Sequence, residues 1–128
     1  DWSLRVGFVK GFELNGGAIA TSEVNKFGGI VSVATTLTGA RDAMNEVAMA
    51  GGGSVAILGS ERSVLRLPVA GLMSDLPAKE VVAKEMELLS FTQAMGCPLE
   101  DPFLTLATMG PFLPAAFRVE RKVLSVGT

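Results

Sequence analysis

The chain has 128 residues, a formal charge of -2, no histidine and one cysteine, with 48% hydrophobic and 19% charged residues. That length and apolar content fit one globular domain over residues 1–128, able to bury a core without metals or disulfides. The eleven Lys and Arg are scattered without a cluster, which argues against nucleic acid as a partner, and one cysteine with no imidazole excludes a multi-cysteine zinc site and Ser-His-Asp catalysis.

Apolar and polar residues alternate through "LRVGFVKGFELNGGAIATSEV", and Asn15-Gly16 suits a tight turn, so the pattern predicts two antiparallel strands in a hairpin. "IVSVATT" is a β-branched run and predicts a third strand. The period then changes. A first helix is expected over about 39–50, with Thr38 as N-cap and Ala40, Met44, Val47 and Ala48 on its inner face, and Gly51 onward ends it. A phosphate-binding loop would need strand, glycines and helix in that order; the triple glycine at 51–53 has helix before and strand after, so it reads as a helix stop.

"SVAILGSERSVLRLPV" predicts a second hairpin, closed by Pro68. Asp75 or Ser74 then offers a cap, and Pro77 suits the first turn, of a helix carrying an apolar stripe of Val81, Val82, Met86, Leu88, Leu89 and Met95. Glu80 and Lys84 form an exposed i,i+4 pair, and Gly96 stops the helix. The turn "CPLEDP", with Glu100 and Asp101 as solvated carboxylates, leads to a short helix "FLTLATM" and a final strand in "FRVERKVLSV". Cys97 reads as a buried, inert thiol and the six methionines as core filler. The expected fold class is α+β: a mostly antiparallel or mixed sheet of about six strands covered by about three helices.

The longest apolar stretches, such as "FLPAAF", fall far short of a membrane span, and the N-terminus lacks a targeting pattern, so no membrane partner is expected and cytoplasm is the default location. A mean hydropathy of +0.43 is high for a soluble domain of this size and predicts an exposed apolar interface, with Phe112, Leu113 and Phe117 as candidates for it. A processed, tagged or excised polypeptide would account both for that apolar surplus and for a first residue of Asp1 in place of Met.

"GFVKGFELNGGAIATS", "LPVAGLMSDLPAKEVV" and "MGCPLEDPFLTL" occur in an order and spacing that resemble the C-terminal domain of bacterial and archaeal adenine deaminases, over about residues 6–126. The resemblance implies a two-part hydrolase: an amidohydrolase-type barrel, in the same or a separate chain, whose histidines and acids hold manganese or iron, and this domain packed against it as an accessory. Metal-activated water there attacks C6 of adenine and gives hypoxanthine and ammonia. No metal ligand is expected from this chain, and none of its residues is nominated as catalytic.

One departure stands out. After "GAIA" the family shows a stretch resembling Ser-x-x-x-His-Asp-Ser-His-Asn, whereas here the sequence reads "TSEVNKFGG": Asn25 and Lys26 replace His and Asp, and Gly28 and Gly29 replace His and Asn. Asn25, Lys26, Gly28 and Gly29, with Gly71, Ser74 and Asp75 of the central loop, are the candidates for contact with substrate or with the barrel. Residues 25–29 and 71–75 are expected on a common edge of the sheet, since both adjoin strand ends and carry glycines that permit close backbone approach. The lost imidazoles favour the rival reading, a stand-alone binding or homo-oligomerising module.

Overall fold

The computed structural model describes residues 3–8, 10–24, 29–67, 76–109 and 122–127, with backbone alone at 3–8, 23–24, 109 and 122–127. Its strands are β1 (Ser3–Phe8), β2 (Ala18–Val24), β3 (Gly29–Ala34), β4 (Gly53–Leu58), β5 (Glu61–Arg66) and β6 (Lys122–Gly127); its helices are α1 (Leu37–Met49), α2 (Ala78–Ala94) and α3 (Pro102–Met109). The fold is α+β with three helices, as the sequence patterning predicts. β3, β2, β4 and β5 form an antiparallel sheet in that order, and β6 and β1 continue it from β3 in parallel.

Strand alternation sorts the core into two layers. Ala18, Ala20, Ala34, Val55 and Ile57 face α1, which returns Ala40, Ala43, Met44 and Val47. Small alanines on both partners let this helix approach the sheet closely. Ile19, Val31, Val33, Ala56 and Leu65 point to the opposite side, where Leu88, Met95, Phe103 and Leu106 of the α2 and α3 region cover them. α1 is also tied to the edge strand β5. Arg62 pairs with Glu46, and Arg66 Nε donates to the carbonyl of Ala50 at the helix C-terminus, where a cation complements the helix dipole.

Several sequence expectations need correction. β1 and β2 do not form a hairpin: β6 and β3 stand between them. The connection cannot continue as a strand because Gly11, Glu13 and Gly17 all have positive φ, and it instead drives Phe12 and Leu14 into the core, 1% and 6% exposed. α1 starts two residues earlier than expected; Thr36, not Thr38, caps it, its Oγ1 accepting from Gly39 N at 3.0 Å. Ala43 fills the inner face in place of exposed Ala48. α2 has Pro77 at its N-cap, outside the first turn, with no side-chain cap; Ser74 and Asp75 lie outside the described residues. The stripe on α2 is buried only in part: Leu88 and Thr92 are enclosed, while Val82 and Met86 are 53% and 64% exposed. Met49 also faces solvent, so two methionines depart from the core-filler expectation.

Asp101 is more than a solvated turn carboxylate. Its Oδ1 accepts from Leu104 N at 3.1 Å and so caps α3, with Pro102 in the first helical position. The triple glycine does end α1: Gly51, Gly52 and Gly53 all take positive φ, and the amides of Gly51 and Gly52 bond the carbonyls of Ala48 and Val47. Pro68, Phe112, Leu113 and Phe117 lie outside the described residues.

Candidate functional site

The strand directions bring one end of the sheet together. In register, Thr21 lies between Val31 and Ser54, and Gly53 lies opposite Arg66, so the end of β2, the start of β3, the start of β4 and the end of β5 share that end. The strand ends flanking segments 25–28 and 68–75 are therefore neighbours, although the segments themselves fall outside the described residues. The same holds for the nominated residues Asn25, Lys26, Gly28, Gly71, Ser74 and Asp75. Gly29 is described. It opens β3, is buried, and pairs with Val24 across a register shift that begins after Thr21.

This sheet end is built from hydroxyls. Where the shift begins, the side chain of Ser22 takes over the ladder to β4: its Oγ accepts from Gly53 N at 2.8 Å and donates to Gly53 O at 3.4 Å. On the other face, Thr21 Oγ1 and Ser54 Oγ lie 2.9 Å apart, both buried. One strand further, Ser32 Oγ donates to Ile19 O at 2.9 Å. Sequence reasoning passed over Thr21, Ser22 and Ser54. The available signal was that "TS" and "GS" put hydroxyls at both positions of the alternation in otherwise apolar strands, where an inward hydroxyl requires a partner.

Such an arrangement orders backbone; it has no acid or base within the bonds just described. Cys97 is 4% exposed, and its thiol is pushed above the ordinary range chiefly by burial; the backbone bond at Leu99 opposes the shift and the charge of Glu13 adds to it. A raised thiol is a poor nucleophile. Among the described residues no group of three or more His, Cys, Asp or Glu side chains is placed to hold a metal ion. A shallow depression of about 210 Å³ beside α2, lined by Leu76, Glu80, Ala83, Lys84 and Glu87, is smaller than the usual small-molecule pocket of about 300–1,000 Å³. Among the described residues no helix is long and apolar enough to cross a membrane.

The hydroxyl pair has a measurable signature. Replacing Thr21 with Val leaves the Ser54 hydroxyl without this partner, and replacing Ser54 with Ala does the converse; each is expected to cost about 1–2 kcal/mol. The double variant should cost less than the sum, because no buried hydroxyl then loses its mate. Urea unfolding of the four proteins checks this, and strict additivity would show that the two groups do not interact.

A family model described as the adenine deaminase C-terminal domain matches residues 2–121. The chain is 42% identical to the adenine deaminase of Desulforamulus reducens over 106 residues, 82% of this chain and 18% of that protein. It is 38% identical to that of Moorella thermoacetica over 114 residues, 88% of this chain and 19% of the relative. With that of Methanosphaera stadtmanae the identity is 37% over 123 residues, 95% and 23% of the two chains. The chain thus spans about a fifth of the length of these curated relatives. No solved structure matches it.

Proposed function

The chain belongs to the adenine deaminase C-terminal domain family, and from that premise we propose that residues 1–128 act as one accessory domain of an adenine-deaminase-type, metal-dependent hydrolase. The reaction of the whole enzyme is hydrolysis of adenine to hypoxanthine and ammonia, a step of purine catabolism in the cytoplasm. The catalytic part is an amidohydrolase-type barrel that holds manganese or iron; this domain contributes scaffold and interface and no ligands. The observation that carries the reading is the match of residues 2–121 to a domain that makes up only about a fifth of each relative named above.

Within that reading, the hydroxyl-bonded sheet end fixes the strand ends from which 25–28 and 68–75 depart, and the nominated residues Asn25, Lys26, Gly28, Gly29, Gly71, Ser74 and Asp75 face the barrel or its substrate. The replacement of the expected histidines at 25–29 favours the second reading, a stand-alone binding or oligomerising module. The two are separated by purifying the complete polypeptide that carries this sequence, with manganese or iron supplied, and following adenine. Equimolar hypoxanthine and ammonia are expected from the complete polypeptide and neither from the 128-residue chain alone. A complete polypeptide that leaves adenine unchanged, or that is no longer than this chain, overturns the accessory-domain reading in favour of the second.

A further inference from the structure

Exposed apolar side chains occur on both helical layers, more of them on the α2 and α3 side. Of the seven large hydrophobic residues exposed among the described residues, Leu76, Val82, Met86 and Leu104 belong to or adjoin α2 and α3, and Leu37 and Met49 sit at the two ends of α1. On α2 the exposed residues are not scattered. Ala78, Val82 and Met86 follow one another at four-residue spacing and are exposed, beside an inner seam of buried Leu88 and Thr92 with partly buried Val81 and Leu89. Glu80, Lys84 and Glu87 line the flank beyond the seam, while exposed Lys79 and Glu85 border the stripe itself, three residues before and after Val82. α2 therefore leaves a narrow apolar line, Val82 and Met86 with Ala78, that the sheet does not cover and that Lys79 and Glu85 border.

We infer that the Val82 and Met86 stripe of α2 is the surface against which the catalytic portion of the deaminase packs, an inference that rests on the accessory-domain reading. Its size speaks for a tethered occupant over a second copy of this chain. A stable interface between free proteins buries about 800 Å² on each partner, and a few half-exposed side chains fall well short of that. A neighbour joined through the same polypeptide needs less, because linkage has already removed most of the cost of association. The relatives supply such a neighbour, since about four-fifths of their length lies outside the matched region. Among partner chemistries the stripe fits an apolar ridge with polar groups beside it: it offers aliphatic and thioether contacts bordered by Lys79 and Glu85.

Methionine oxidation reads this surface directly. Met86 and Met49 are 64% and 82% exposed and Met95 is 1% exposed, so the domain carries its own fast and slow references. The complete polypeptide and the 128-residue chain are treated with dilute hydrogen peroxide, and sulfoxide at each methionine is followed by peptide mass spectrometry. In the 128-residue chain Met86 and Met49 should oxidise at similar rates and Met95 far more slowly. In the complete polypeptide Met86 should slow by at least about tenfold while Met49 is unchanged. If Met86 keeps its rate in a complete polypeptide that deaminates adenine, docking uses another face and the inference falls while the accessory-domain reading stands. Protection of Met86 in the 128-residue chain that grows with concentration assigns the stripe to a second copy and overturns the inference. A complete polypeptide without a catalytic portion removes both.

Discussion

Phe12→Ala should be among the most damaging single substitutions in the chain, with an expected loss of about 3–5 kcal/mol. Phe12 is one of the largest fully buried side chains although it sits in neither a helix nor a strand. It packs in the cluster that includes Ile19, Val33, Leu88, Met95, Phe103 and Leu106, and so joins the sheet to the α2 and α3 layer. Removing the ring leaves a cavity among residues that are themselves fixed by the sheet, and little collapse can fill it. For a domain of this size the melting temperature should fall by on the order of 10–20 °C. Leu104→Ala is the control. Its side chain is 60% exposed, and the change should stay within about 0.5 kcal/mol. A Phe12→Ala variant as stable as the parent would mean that the 10–17 connection is not part of the core.

The same residue shows why part of the fold was legible and part was not. Phe12 and Leu14 alternate with Gly11 and Glu13 as in a strand, and Asn15-Gly16 supplies a turn, so local rules favour a hairpin. Local rules do not see that Glu13 takes positive φ or that Asn15 N donates to Met95 O at 2.8 Å, a bond to the far end of α2. That tertiary contact overrides the strand pattern. Features decided within a few residues were read correctly: the glycine stop of α1, the β4–β5 hairpin about Gly59-Ser60, the end of α2 at Gly96, and burial of Cys97. At the hydroxyl-bonded sheet end the balance reverses. Thr21 and Ser54 are 33 residues apart, and only the β2–β4 register makes them partners. Among the nominated residues, Gly29 alone falls within the described residues.

Gly53→Ala is the second substitution with a large expected effect, about 3 kcal/mol or more. Gly53 has φ of 136°, and a Cβ there would lie 2.0 Å from the carbonyl oxygen of Leu65. That oxygen belongs to backbone on β5 and cannot rotate away as a side chain would. Relief requires opening β4 from β5, which disturbs the bond from Leu67 N to Gly52 O and the two bonds between Ser22 and Gly53. Gly51→Ala is the matched comparison. Gly51 has φ of 79°, but nothing lies within 4 Å of its added Cβ, so only backbone strain of about 1 kcal/mol is expected. Urea melts with equal slopes would give the two losses on one scale. Equal losses would show that the close approach of β5 has no energetic weight.

A helix of 17 residues that encloses only Leu88 and Thr92 is anchored by its C-terminal half. The consequence concerns motion. Amides of the first two turns, which have no side-chain cap and few buried contacts, should open by local fraying at a fraction of the free energy that global unfolding requires, whereas those near Thr92 and Met95 should open only with the core. The helix thus spans two regimes of hydrogen exchange along its length, and any surface that settles on its outer stripe shifts the first regime toward the second.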